Sequence, residues 1–392
     1  MNNEIEPGPA TKLQLSPTDS LVQSSVRAIT FHCDAMKRQH DAAVAGEIEP
    51  VHQLRVSSRR LRAAIELFSG VLYASALKIY RRDIPWIAGE AGVVRNCDVL
   101  EALFKARALK LDVNLREALS PINDAIAAER NAAHTLLVQE LSSKRYAALI
   151  TKLSSPPVKA ARGRARLGIA APDLLGPMVR DIRKKGKKLG DDAPPEVFHK
   201  LRVRIKRLRY ALDMLAPLAG KHHRKTLTRL EEMQELLGSY NDTVVAIAWL
   251  HTFAATSGTP PKTILAAGAL VHSLGTLARK QMRQGLKAWQ RFERSKVLDS
   301  ALHEFDDTAE ELADADRKAA RLAAEQARNN PTTIAADPHS SGSVVQAVPD
   351  TVTAALQAPV AADDSPAPAS VEATQPDDNA SAPKPDDTEH AA

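Results

Sequence analysis

The stretch VHQLRVSSRRLRAAIELF, residues 51–68, recurs 147 residues later as FHKLRVRIKRLRYALDML, residues 198–215, without gaps and with eight of eighteen positions identical. This duplication constrains the fold strongly, because whatever the first copy packs against, the second must find again. On a helical wheel of about 100° per residue, Leu54, Leu61, Ile65 and Phe68 form one apolar stripe, and Leu201, Leu208, Leu212 and Leu215 repeat it. His52, Arg55, Arg59 and Arg62 share a separate face about 80° wide, matched by His199, Arg202, Lys206 and Arg209. Arg60 and Arg207 lie at the edge of that face. Two amphipathic helices of one pattern imply a chain made of two similar helical halves.

The remaining sequence agrees. Apolar residues recur at three and four spacing, with no alternating β-branched runs, over helices expected near 17–45, 50–69, 74–94, 96–110, 113–142, 174–189, 195–218, 221–238, 240–257 and 261–290. The segment SSPPVKAARGRARLG, residues 154–168, has paired prolines and no apolar period and reads as a linker. AGVVRNCDVL at 91–100 corresponds to LGSYNDTVVA at 237–246, where Gly92 and Gly238 read as helix C-caps followed by Asn/Asp-containing turns. The expected organisation is a flexible N-terminus (1–14), a first half (15–153), the linker, a second half (169–294), a helical extension (295–328) and a tail (329–392). An all-α fold follows, with two up-and-down four-helix bundles related by a pseudo-twofold axis.

Charge divides the chain sharply. The formal net charge is +6, but the tail holds ten acidic residues against Lys384, which leaves +15 on residues 1–328. The tail is rich in Pro, Ala, Ser, Thr and Asp and poor in large apolar residues, so disorder is expected there. Two cysteines, Cys33 and Cys97, are too few for a disulfide framework. No signal-peptide pattern opens the chain, and no apolar run reaches the roughly 18 residues of a membrane span. A soluble cytoplasmic protein without membrane contact is expected.

A basic face of this kind is costly when nothing binds it. Like charges three and four residues apart repel by a few tenths of a kcal/mol per pair, and cations near a helix start oppose its dipole. Pro50, and Pro194 with Pro195, place the helix starts just before His52 and His199. An anion relieves the repulsion and completes the N-terminal N–H groups. An ordinary solvated face, with Glu66 and Asp213 pairing the arginines, is the alternative for a single copy; repetition of the whole pattern favours a ligand.

The paired VHQLRVSSRRLR and FHKLRVRIKRLRY segments, with the glycine and Asn/Asp stretches after them, resemble the CHAD family, the conserved-histidine α-helical domains, over about residues 15–294. The resemblance implies that the two four-helix bundles enclose a central basic pore or cavity and bind inorganic polyphosphate, often at polyphosphate granules. Carried over residue by residue, the ligand set is His52, Arg55, Arg59, Arg60, Arg62, His199, Arg202, Lys206, Arg207 and Arg209. One position departs from the family pattern: after Gly92 the usual Arg-Asp pair is Arg95-Asn96, whereas Asn241-Asp242 in the second half is retained.

Polyphosphate offers charge without bases, so its receptor needs many cations and few aromatics, and aromatic residues make up only 4% of this chain. Lys184, Lys185, Lys187 and Lys188 are candidate peripheral anion contacts. The main rival is a nucleic-acid-binding helical protein, since a +15 domain attracts any polyanion and binds nucleic acid weakly in any case. A polyphosphate-processing enzyme is a further reading, but the chain has no Walker glycine loop, no HExxH and no Glu-x-Glu-x-Lys of the triphosphate-tunnel enzymes. A scaffold for protein partners is a third. No catalytic residue, metal or cofactor is expected.

Overall fold

The two motif segments each fold as one helix, α3 (Ile48–Leu67) and α9 (Pro195–Met214), and the other elements are arranged around them. The computed structural model describes residues 12–160, 163–190, 192–256 and 258–329; residues 1–11, in the N-terminus read above as flexible, and the acidic tail from 330 onward, read as disordered, lie outside the described residues. Before α3 come α1 (Leu21–Arg38) and α2 (His40–Val44), and after it α4 (Ala74–Ala108), α5 (Val113–Glu117), α6 (Ser120–Leu141) and α7 (Lys144–Ser154). The second part of the chain forms α8 (Leu167–Gly186), α9, α10 (Lys221–Ala254), α11 (Pro261–Arg294) and α12 (Val297–Asn329). Among the described residues there are no strands, only the isolated bridges Ser20–Arg166 and Leu72–Val158. The fold is all-α, and no helix among the described residues is long and apolar enough to cross a membrane.

The apolar stripes do what their spacing predicts. Leu54, Leu61, Ile65 and Phe68, and Leu201, Leu208, Leu212 and Leu215, are all buried. Helix α3 packs on α1 and α4, α9 packs on α8 and α10, and the two motif helices also touch each other. One large core joins these elements, while a smaller one gathers Leu100, Phe104, Ile122, Ile126, Leu250, Leu270 and Leu274 from α4, α6, α10 and α11. Along α4 the core changes over between Val94 and Cys97, and along α10 between Tyr240 and Ala246.

Several boundaries differ from the sequence reading. Gly92 and Gly238 do not end helices: α4 and α10 run through them, and positive φ among glycines occurs at Gly46 and Gly258. The expected Asn/Asp turns are therefore helical. Helix α8 begins seven residues before the expected 174 and runs through Pro172 and Pro177. Buried Leu167, Ala171, Leu175 and Val179 anchor it, so packing outweighs the lost hydrogen bonds. The expected 17–45 and 113–142 helices are each interrupted, at Gln39 and at Ala118–Leu119, and α7 forms where no helix was read.

The helical extension is integral to the second half. Helix α12 buries Val297, Leu298, Ala301 and Phe305 and sends Glu304 back to the start of α10. There Glu304 Oε1 accepts from the His222 backbone N–H at 2.9 Å and Oε2 from that of His223 at 3.0 Å. Gly220 makes the approach possible, since a Cβ on it would stand 2.7 Å from Oε1. The carboxylate thus satisfies two donors that a helix N-terminus leaves open, at the end of the dipole that favours negative charge. Glu304→Ala should lower stability by about 2 kcal/mol, the scale of a charge-assisted cap. Glu304→Gln should lose less; thermal unfolding followed by helical circular dichroism reads both.

Candidate functional site

Each motif helix starts from an extended residue, Glu47 before α3 and Pro194 before α9, with Pro50 and Pro195 in the respective first turns. These starts set the register that turns the basic faces of α3 and α9 toward one another where the helices meet. Arg55 and Arg59 from α3 come together with Arg202 and Lys206 from α9: Arg55 feels the charges of Arg59 and Arg202, Arg202 that of Arg59, and Lys206 those of all three arginines. The two long helices make room for the guanidinium groups. A Cβ on Gly92 of α4 would lie 3.2 Å from Arg55 Nε, and one on Gly238 of α10 would lie 3.7 Å from Arg202 Nε. Both glycines read as caps lie inside helices against an arginine, at the level where the apolar core changes over, and Gly92 gives Arg55 a clearance that a Cβ would narrow.

The four cations are half-buried by surface area yet surrounded by protein, and their field is strong. Burial first, then Arg202, Arg59 and Arg55, holds the Lys206 ammonium down to about 5, with Asp242 of α10 opposing. Arg55 is held down to about 10 by burial, then by Arg59 and Arg202. Arg202 is likewise lowered, by burial first, with Asp242 opposing and Arg59 reinforcing. Arg59 Nε and Arg202 Nε are buried without a hydrogen-bond partner. Buried unpaired charged donors are costly, and at a seam of like charge an anion would relieve that cost. Asn96, the counterpart of Asp242 when Gly92 is aligned with Gly238, is exposed, so the first half brings no matching carboxylate.

The remaining candidates are distributed around this centre. His52 is half-buried with Nδ1 unpartnered; burial, then Arg95, then Arg59 and Arg55 favour its neutral form, against Glu49. His199 is exposed, with Nδ1 2.8 Å from Asn241 Oδ1. Arg60 sits 4.0 Å from Asp213, its Nε buried and without a hydrogen-bond partner; burial first, then the Arg60 charge, holds His32 down to about 4. Arg209 is engaged by Gln234 at 3.0 Å and Glu231 at 3.3 Å and lies over the Tyr210 ring. Arg62 and Arg207 are half-buried on the same two helices. Lys184 and Lys185 end α8 and Lys187 and Lys188 follow it; all but Lys185 are exposed.

Sequence reasoning singled out the cations but not Arg95 as the charge beside His52, nor Asp242 and Tyr210 as the groups that oppose the cluster. The offset between the glycines and the arginines was the available signal, and it was read as punctuation. A shallow surface depression lies elsewhere, on α4 between Ala74 and Arg82. Its arginines are already committed, Arg81 to Glu66 and Arg82 to Asp83.

Comparison with known proteins places these residues in context. A family model described as the CHAD domain matches residues 27–251. The crystal structure of the CHAD domain from the plant Ricinus communis is 26% identical, covering 72% of this chain and 97% of that one with a TM-score of 0.60. PptA from Streptomyces chartreusis shares the fold at 19% identity, covering 70% of this chain and 100% of that one, with a TM-score of 0.58. No curated protein matches the chain with significance.

The unequal clearances at the two glycines generate a prediction. Alanine in a helix interior is favoured over glycine by about 0.5–1 kcal/mol. Gly238→Ala meets Arg202 at an ordinary contact distance and should gain that stability while leaving anion binding intact. Gly92→Ala should push Arg55 aside, cancel most of the gain and weaken anion binding. Thermal unfolding and a polyanion titration of the two variants, compared side by side, measure the difference.

Proposed function

We propose that this chain, which belongs to the CHAD family, binds inorganic polyphosphate at the junction of α3 and α9 and does not act on it chemically. The observation that carries the reading is the meeting of Arg55, Arg59, Arg202 and Lys206, two from each copy of the repeat, with buried donors left unpaired. A flexible chain of closely spaced phosphates satisfies many such donors at once, and guanidinium groups bind phosphate oxygens as forks. Matching neighbours on either side, α1 and α4 for α3 and α8 and α10 for α9, support a pseudo-twofold arrangement of two bundles around a basic passage. The groups facing the ligand are donors that hold phosphates, whereas hydrolysis also needs a positioned nucleophile or base. Retention at polyphosphate granules follows as the cellular consequence of this affinity.

Removing charge at Arg55, Arg59, Arg202 and Lys206 together, each to Ala, should reduce polyphosphate affinity roughly a thousandfold or more, since each charged hydrogen bond contributes about 1.5–3 kcal/mol. Helix content should stay unchanged because none of the four side chains belongs to the apolar stripes. A quadruple variant that binds like the parent sinks the reading. Competition between polyphosphate and DNA at equal phosphate concentration separates it from nucleic-acid binding: DNA should compete poorly, and the affinity for both should fall as salt rises.

Proton linkage gives a second test. A bound polyanion reverses the local field and raises the Lys206 and His52 pKa values, so binding takes up protons between the free and bound values. For Lys206, with a free value of about 5, affinity should rise as pH falls toward 5, by up to about tenfold per pH unit, and level off below it. Lys206→Arg keeps the charge at every pH and should flatten this dependence while retaining binding. Calorimetry in two buffers of different ionisation heat measures the uptake directly; none at pH 7, or the same in Lys206→Arg, removes Lys206 from the linkage.

A further inference from the structure

Helix α11 follows the region matched by the family model and carries the most one-sided charge among the described helices. Arg279, Lys280, Arg283, Lys287, Arg291 and Arg294 are all exposed, and Glu293 is the only acidic residue in the helix. At about 100° per residue the six cations fall within about 120° of one face, opposite buried Leu274, Ala278, Gly285, Trp289 and Phe292. Arg279, Arg283, Lys287 and Arg291 form an uninterrupted i, i+4 ladder, the spacing at which like charges destabilise a helix.

Elsewhere the protein pairs its cations: Arg81 with Glu66, Arg130 with Asp98, Arg204 with Asp181. Among the described residues no carboxylate forms an ion pair with any of the six on α11. The helix dipole accounts for the last two, Arg291 and Arg294, which sit in the final turn. It does not account for the four before them.

This face is the outside of a helix that packs on the elements of the cluster. Gly285 of α11 packs directly on α9 and α10: a Cβ there would stand 3.0 Å from Leu237 and 4.0 Å from Phe198, the neighbour of exposed His199. One turn earlier, Gln281 Oε1 accepts from Thr243 Oγ1 at 2.9 Å, beside Asp242, which faces the cation cluster. One turn later, the Trp289 ring occupies the space over Gly186 at the end of α8, just before exposed Lys187 and Lys188. The buried side of α11 therefore touches the starting turn of α9, the Asp242 region and the lysine-rich end of α8, and its cationic side faces solvent across the helix from them.

We propose that the exposed face of α11, continued by Lys187 and Lys188, is an outer track for the part of a polyphosphate chain that extends beyond the α3–α9 cluster. The proposal rests on the polyphosphate reading above and adds a basis for length preference. The cluster holds a short chain, and the track, about 22 Å along the helix axis from Arg279 to Arg294 at 1.5 Å per residue, engages only a chain long enough to reach it. Binding there is multivalent: each further phosphate meets a cation already held at high local concentration.

The test replaces Arg279, Lys280, Arg283, Lys287 and Arg291 with Gln in the full chain. Titrations use a short polyphosphate and one of about a hundred phosphates, over a range of salt. Short-chain affinity should be unchanged, long-chain affinity should fall about tenfold or more, and the long-chain slope of log K against log salt should drop by roughly 3, at about 0.7 per phosphate of a flexible chain. A control variant, with exposed Lys105, Lys110, Arg116, Lys144 and Lys152 changed to Gln, removes the same net charge from the first half and should not reproduce the length-selective loss. Equal losses for short and long chains, no loss at all, or the same loss in the control each overturn the track and make α11 an ordinary solvated face. Failure of the parent protein to bind either polyphosphate would instead overturn the function proposed above, so the two outcomes are distinct.

Discussion

Four basic side chains, three of them arginines, held side by side at the meeting of α3 and α9 set the terms for the rest of the structure. Such a group cannot hold itself together, so its position must be enforced from outside. Each motif helix is fixed by its own apolar stripe against its own half of the chain, Leu54 and Leu61 on one side, Leu201 and Leu208 on the other. The larger core lies on one side of the change-over along α4 and α10 and the smaller core on the other, with Arg55 and Arg202 seated against those helices at that level. Apolar burial, at about 25 cal/mol per Å², supplies the energy that keeps the cations apart from the solvent they would prefer.

The repeat is imperfect at two informative places. Where the first copy has Arg59, the second has Lys206, the one member of the group able to give up its proton near neutral pH. Arginine stays charged at any physiological pH, whereas a desolvated amine sheds its charge, so the empty cluster discharges through a single residue. The second place is Asn96, where the other half has Asp242. With one carboxylate instead of two, the cluster keeps a larger positive excess for an anion to neutralise, and the field is lopsided toward the α3 side.

The fold was legible where a periodic pattern decided it. The two stripes and the two basic faces lie where spacing puts them, with Pro50 and Pro195 in the first turns of their helices, because amphipathic period and proline chemistry act locally. Gly92 and Gly238 were misread because a glycine inside a helix has the same appearance in sequence as one that ends it; only the arginine lying across the bare Cα tells the two apart. Helix α8 was misread for the converse reason, since Pro172 and Pro177 argue locally against a helix that buried Leu167 and Leu175 impose. The convergence of Arg55 and Arg59 with Arg202 and Lys206 is a tertiary fact. A wheel shows which side chains share a face, but not which face on another helix they will meet.

The cap that Glu304 places on α10 has a consequence for how the chain is made. The donors it satisfies, on His222 and His223, leave the ribosome about 80 residues earlier, and until α12 follows, the first turn of α10 has only water to complete it. Domains emerge N-terminal part first, so the first half can settle while the second is still open at this end. The second half therefore closes last and closes from its far end, and a nascent chain arrested before α12 presents a frayed α10 beside an exposed apolar groove meant for Val297, Ala301 and Phe305.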